Sequence, residues 1–406
     1  MRTPITSLGI TFLGTASAQP SSTRNHSSLA LRLNGDVWLF DCGEATQHQI
    51  MKSSLVKMGK IEKMFITHLH SDHIGGLLCL LASAMNGDGG TIPGVEDPRV
   101  GSTPTKPPLE IYGPLGTRAY VRNGLKLTYT LLEGSYVVHE LRFPEDPTDE
   151  TENSPSPSQN LHLSESPDGR NIALVDGKWA DIFKDNIISV SAAPILHSVP
   201  CVGYVVHEAP VQGKVDPKLY IPHFKRTGTS MKLMGEIQKG QTVTLADGTV
   251  LEGPPREPGR KIVILGDTYD PSPIEELAKG ADIVVHEATN AHLPGVDGRI
   301  KAEDTYESVE ERAKSRGHST PQMAGKFAKR IGASNLFLNH FSSRYSDEVD
   351  EKSRAIMFAI KHLAVVGFGR SEVVCGRDLM NIEIPPKRAM VEGNKPKVVQ
   401  DAVTYS

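Results

Sequence analysis

"FITHLHSDHIGG", Phe65 to Gly76, decides the fold. The run Met64-Phe65-Ile66 is apolar and reads as the end of a buried strand. His68, His70, Asp72 and His73 follow at once, and Gly75 and Gly76 let the chain turn into the apolar "LLCLLASAM", which reads as a helix. Four strong metal-ligand types therefore sit where a strand gives way to a helix, a common place for sites in α/β proteins. Residues two apart in an extended segment face the same side, so His68 and His70 can grip one metal together. Asp72 and His73, past the bend, can point to a neighbouring position. Zinc takes neutral imidazoles and carboxylates, and paired metals in hydrolases sit about 3.5–4 Å apart.

The remaining donors recur at the ends of apolar strands. "APILHS" offers His197, "IVILGD" offers Asp267 and "LFLNH" offers His340. A lone histidine is more often a packed core residue, and a lone aspartate a turn residue. Their shared position just after a strand singles these three out. The expected assignment is His68, His70 and His197 on a first metal, Asp72, His73 and His340 on a second, and Asp267 bridging. His26, His48, His139, His162, His207, His223, His292 and His362 lack that context and read as surface, core or cap residues. Two metals turn a bridging water into a nucleophile near neutral pH and stabilise charge on a phosphoryl or acyl oxygen. Asp72 can orient that water and take its proton.

Composition narrows the setting. The chain has 406 residues, 38% of them hydrophobic, enough for one large domain or two ordinary ones. It has no run of about 18 apolar residues, so no transmembrane helix and no membrane partner are expected. The start has neither a basic n-region nor a long apolar h-region, so no secretory signal is expected. Cys42, Cys79, Cys201 and Cys375 form no CxxC pair, which fits a reducing compartment: cytoplasm, nucleus or both, with the mitochondrion left open. The net charge of -4 does not advertise nucleic-acid binding, so an RNA partner would need a local basic patch.

Along the chain, strand-rich segments come first: "GITFLGT", "SSLALRL", "DVWLFDCG" and "LEIYGP". "EATQHQIMKSSL" reads as a helix with Glu44 in its first turn, and residues 87–108 as a long loop. Residues 144–171, "PEDPTDETENSPSPSQNLHLSESPDGRN", are acidic and Ser/Pro-rich, and read as a mobile surface insertion. Strands then alternate with helices. Two stacked sheets with helices outside, αββα, account for this order. The expected domain is 1–385, interrupted by 144–171 and by a basic stretch of about 208–240, with 386–406 as a C-terminal tail.

The HxHxDH cluster with its later His, Asp and His resembles the metallo-β-lactamase fold, an α/β sandwich shared by zinc hydrolases of many substrates. Four further stretches are similar to motifs of tRNase Z, the endonuclease that removes 3′ trailers from precursor tRNA. They are "FLGTASAQPSSTRNHSS" (Phe12 to Ser28), "HEATN" (His286 to Asn290), "GHSTP" (Gly317 to Pro321) and "NHFSSRY" (Asn339 to Tyr345). The resemblance runs from about Gly9 to Asp378, outside 144–171, and is to the short form. It implies two zinc ions per subunit, with manganese as the alternative, a precursor tRNA partner and a homodimer. It also implies that His318 gives a proton to the departing 3′ oxygen, oriented by Glu287. A carboxylate beside an imidazole raises its pKa and fixes its tautomer. "GHST" equally suits a helix N-cap before "PQMAGKFAKR".

The resemblance further implies a protruding tRNA-binding arm after His197. "GKVDPKLYIP" (Gly213 to Pro222) matches its start, and Lys214, Lys218, Lys225, Arg226 and Lys232 are spaced for a backbone clamp. A solvated surface loop is the plainer alternative. "HFKRTGTSMKLMGEIQKG" (His223 to Gly240) departs from the family's Gly-Pro-rich tip. The rival function is another hydrolase of this fold acting on a small ester, thioester or phosphodiester, which would need neither the arm nor the HEAT and HST motifs.

Overall fold

A computed structural model describes residues 4–92, 94–96, 107–347 and 349–399. Much of the 87–108 loop and the last residues of the 386–406 tail lie outside the described residues. Strands β1 (Leu8–Gly14), β2 (Ser28–Leu33), β3 (Asp36–Phe40), β4 (Ile61–Phe65), β5 (Leu109–Pro114), β6 (Tyr136–Arg142) and β7 (Asn171–Ala173) start a first sheet. β8 (Trp179–Lys184), β9 (Ile188–Ile195), β10 (Cys201–Glu208), β11 (Lys261–Ile264), β12 (Ile283–Glu287), β13 (Asn335–Asn339) and β14 (Val373–Cys375) build the second. β15 (Asn381–Glu383) and β16 (Lys397–Val399) then return to the first. The orders are β16-β15-β1-β2-β3-β4-β5-β6-β7 and β14-β13-β12-β11-β10-β9-β8.

The strands read as nearly continuous apolar runs because both faces are covered. Trp38, Phe40 and Phe65 point inward, against Tyr204, Ile262, Ile264 and Phe337 of the opposite sheet. Their neighbours Val37, Leu39 and Met64 point outward, under α1 (Thr46–Lys52), α2 (Leu77–Ala84) and α3 (Thr117–Leu127). The second sheet repeats the pattern. Val263, Val284, Leu336 and Leu338 face outward, beneath α6 (Pro321–Arg330) and α7 (Glu351–Phe368). Between these sheets and helices the period of two in each strand makes three apolar layers, the expected αββα sandwich. Phe65 stacks on Phe40 at 4.9 Å and on Tyr112 at 5.1 Å, joining three parallel strands across the central layer.

Two boundaries here differ from the sequence reading, and one insertion has contacts it did not foresee. Glu44 is not in α1, which begins at Thr46 because Ala45 takes a left-handed φ of 59°. The tail is not separate: β16 pairs with β15 and extends the domain to Val399. The 144–171 stretch, read as mobile, is held down by two arginines of α3. Arg122 makes a bidentate pair with Glu165 at 2.7 and 2.8 Å and donates to the Ser156 carbonyl. Arg118 pairs with Glu140 at 3.0 Å and donates to the Pro155 and Arg170 carbonyls. Its acidic and Ser/Pro-rich composition supplies acceptors for buried guanidiniums in place of an apolar core.

The basic stretch projects between β10 and β11 and is longer than 208–240. Val211–Gln212 pairs with Arg256–Glu257 at its root, and Val243–Thr244 with Val250–Leu251 farther out. With α4 (Pro217–Thr227), these strands enclose a small core of Phe224, Ile237, Val243, Leu245 and Leu251. At the root, buried Arg260 grips Glu208 at 2.7 and 2.9 Å.

Candidate metal centre

The site lies at the carboxyl ends of the parallel strands, where backbone groups freed from the ladder can hold side chains. Asp41 follows β3, Thr67 and His68 follow β4, Asp267 follows β11 and His340 follows β13, while Glu287 is the last residue of β12. His197 follows β9 from the second sheet. The structure brings all seven expected donors together in two adjoining groups. One joins His68, His70, His197 and Asp267; the other joins Asp72, His73 and His340. Asp267 lies between them, with Oδ2 3.8 Å from His68 Nε2 and Oδ1 3.4 Å from His73 Nε2.

The ring of hydrogen bonds behind these donors fixes their tautomers. The single Thr67 hydroxyl proton goes to Asp41 Oδ2 at 2.9 Å, so His68 Nδ1 donates to Thr67 Oγ1 at 3.0 Å. His197 Nδ1 donates to the Gly317 carbonyl at 2.8 Å, and His73 Nδ1 to Asp41 Oδ2 at 2.7 Å. Thr289 gives its hydroxyl proton to Glu287 at 2.5 Å and accepts from His340 Nδ1 at 3.1 Å. The Nε2 atoms of His68, His197, His73 and His340 are therefore lone pairs facing inward.

These lone pairs lie unusually close. His70 Nδ1 is 3.1 Å from His68 Nε2 and 3.2 Å from His197 Nε2, while His73 Nε2 is 3.1 Å from His340 Nε2. Acceptors converging at such distances beside two carboxylates ask for cations, so the donor set fits a pair of zinc ions. Burial and the neighbouring imidazoles hold His68 well below its usual pKa, as a ligand requires.

Glu287 is buried beneath the site and accepts from Thr268 N at 2.7 Å and Ser319 N at 3.1 Å. Its Oε1 is 3.1 Å from His318 Nδ1. Burial opposes the charge on His318, but Glu287 and then Asp267 outweigh it and push the imidazole up to about 9. Thr320 caps α6 with a capping box, so the HST segment is both a helix start and a histidine mount. Gly317 has φ +83°, and a Cβ there would lie 2.4 Å from His197 Nδ1.

Asp41, Thr67, Thr289, Gly317 and the Ala18 amide, which donates to Asp72 Oδ2 at 2.7 Å, were not singled out from sequence. Asp41 carries the same strand-end signal as Asp267, directly after "DVWLF". Asp41 and His340 take left-handed φ values of 59° and 54°, a strain of order 1–3 kcal/mol that recurs at functional sites. Of the expected arm cations, Lys214, Lys218, Lys225 and Lys232 are exposed, whereas Arg226 pairs with Asp247 and Thr249 inside the arm.

The fold and this donor set define a dinuclear metallohydrolase of the metallo-β-lactamase class. A family model described as anti-Pycsar protein Apyc1 matches residues 8–87. The chain is 36% identical over 398 residues to zinc phosphodiesterase ELAC protein 1 of Bos taurus, covering 94% of this chain and 100% of that protein. It is 37% identical over 346 residues to ribonuclease Z of Brevibacillus brevis, covering 84% and 86%. The solved structure of human tRNase Z, short form, matches with a TM-score of 0.57 and 32% identity, over 93% of this chain and 99% of that one. The chain belongs to the ribonuclease Z family. No helix among its described residues is long and apolar enough to cross a membrane.

Proposed function

We propose that this chain is a zinc-dependent endoribonuclease that removes the 3′ trailer from precursor tRNA and leaves a 3′-hydroxyl on the tRNA. The observation that carries the reading is the His318–Glu287 pair at 3.1 Å, held against a two-metal donor set. A sugar 3′ oxygen is a poor leaving group and needs a proton as the phosphodiester breaks. The similarity to ribonuclease Z and to human tRNase Z, short form, supports the substrate.

His68, His70 and His197 would hold one zinc, and Asp72, His73 and His340 the other, with Asp267 shared. When bound, the metal pair supplies Lewis acidity, acidifying a water and neutralising charge on the phosphoryl oxygens. Asp72, its Oδ2 fixed by the Ala18 amide, accepts the proton of the attacking water. The water oxygen bonds to phosphorus, the bond to the 3′ oxygen breaks, and His318 Nε2 gives its proton to that oxygen. Glu287 positions His318 through Nδ1 and keeps the proton-bearing Nε2 outward.

The arm would clamp the tRNA away from the chemistry through Lys214, Lys218, Lys225 and Lys232, with Arg226 bracing the arm through Asp247. The working unit would be a homodimer. The compartment would be the cytoplasm, the nucleus or both, with the mitochondrion left open.

The test is to incubate the purified protein with a trailer-bearing precursor tRNA, with zinc or with chelator, and map the new ends. A chelator-sensitive cut at the base of the acceptor stem is expected. No cut by a preparation that still hydrolyses bis(p-nitrophenyl) phosphate would overturn the reading.

A further inference from the structure

A cleft of about 90 Å³ is lined by Asn290, Arg299, Asp304, Arg312, Arg316 and Arg344, among others. The chain itself ties this cleft to the metal centre. Asn290 follows Thr289, which holds Glu287 and His340. Arg316 precedes Gly317, whose carbonyl holds His197. Arg344 lies four residues beyond His340 and donates to Asn290 Oδ1 at 3.0 Å.

The charges in the cleft do not balance. Asp304 is committed to Arg312 at 2.6 Å, and Asp297 lies 3.6 Å from Arg344. Arg299 and Arg316 are exposed, and among the described residues neither guanidinium takes part in a hydrogen bond or ion pair. Two uncompensated guanidiniums on one small cleft repel each other, and their planar forks match a phosphate. Apolar lining is confined to Ile300 and to Val309 and Ala313 of α5 (Tyr306–Lys314), so no base-stacking surface is offered.

We propose that this cleft binds a backbone phosphate of the RNA beside the scissile one, an inference that rests on the RNA-cleaving reading above. Arg299 and Arg316 are the principal contacts, and Arg312 and Arg344 are held ready by Asp304 and Asn290. A backbone contact carries no sequence information, but it fixes register and so the bond presented to the metals. The arm would grip the substrate at a distance, and this cleft would grip it next to the chemistry.

The test compares the wild-type holoenzyme with the Arg299→Ala/Arg316→Ala and Arg299→Lys/Arg316→Lys double variants. Binding is measured across a salt series on a precursor tRNA whose leaving 3′ oxygen is replaced by a methylene, which prevents cleavage. The alanine variant is expected to bind roughly tenfold more weakly, with a log–log salt slope shallower by about one. The lysine variant is expected to keep the slope and lose part of the affinity. Hydrolysis of bis(p-nitrophenyl) phosphate should be unchanged in both. Unchanged affinity and slope in the alanine variant, or an equal loss on the small diester, would overturn the proposal. Failure of the wild type to cut an ordinary precursor would refute the RNA-cleaving reading separately, because the salt slope is read without cleavage.

Discussion

The metal centre and the arm solve opposite problems. In the centre, four inward-facing imidazoles are locked from behind by Thr67, Asp41, Gly317 or Thr289, and most of the donors are buried. The arm rests on a small core of its own and turns Lys214, Lys218, Lys225 and Lys232 to solvent. Chemistry needs donors fixed to fractions of an ångström, which only packing and hydrogen bonds around them can supply. On the proposed reading the arm serves backbone recognition, which needs charge at a distance. The two regions should therefore fail in different ways.

The sharpest break between them lies in the ligands. Asp72→Ala and His70→Ala should each lower precursor cleavage by roughly 10³-fold or more, since the metal pair contributes several kcal/mol of transition-state stabilisation. Affinity for precursor tRNA, measured by filter binding, should change less than about threefold. Activity surviving in both variants would remove these residues from the metal site. His318→Ala should slow cleavage by roughly 10²–10⁴-fold with the metal content of the protein unchanged. His318 also groups with Asp267 and His340, so metal analysis of this variant decides its role. Lost zinc would make it a ligand.

Asp41→Asn acts one step behind the metals. It accepts from His73 and from Thr67, which in turn orients His68, so zinc affinity should fall about 10–100-fold in competition with a chelator. Unchanged affinity would mean that packing alone orients the two rings. Excising residues 214–254 probes the other region. A Cβ on Gly213 would lie 2.5 Å from the Pro255 carbonyl, so the two ends already meet. Precursor binding should weaken about tenfold at physiological salt, while hydrolysis of bis(p-nitrophenyl) phosphate stays level. Equal loss on both substrates would tie the arm to the centre and dissolve the contrast.

The centre was legible in sequence because its donors are rare types at fixed places. HxHxDH follows β4, and His197, Asp267 and His340 each follow a strand, so αββα and the donor set could be read together. What holds the donors was harder to read. Thr67, Thr289 and the Gly317 carbonyl are ordinary residues whose value depends on what lies across the fold. Asp41 alone carried a usable signal. The arm could be placed but not bounded, because its closing strand Arg256–Glu257 carries no hydrophobic pattern. For 144–171, composition marked an insertion but not what it touches. Few apolar groups suggest mobility, and the carbonyls of the segment meet guanidiniums of α3, a partner local sequence cannot reveal.

That anchoring has a pH dependence unrelated to the metals. His139 on β6 stacks on Tyr112 at 4.7 Å and accepts from Arg170 Nε, at the end of the held segment, at 3.1 Å. Burial, and then the Arg170 charge, push its pKa down to about 4. The folded value thus lies below the unfolded one, near 6.5. Between these two values the unfolded chain binds the extra proton. The neutral ring's contribution is complete above about pH 6.5 and declines as pH falls toward 4, by about 3 kcal/mol in all. Urea midpoints measured from pH 7 to pH 4.5 should fall, and His139→Gln, which keeps an acceptor but cannot titrate, should flatten that fall. Cleavage at neutral pH should be indifferent to the substitution, since His139 serves the held segment and touches neither the metal donors nor the arm. A parallel decline in both proteins would place the acid-sensitive step elsewhere in the fold.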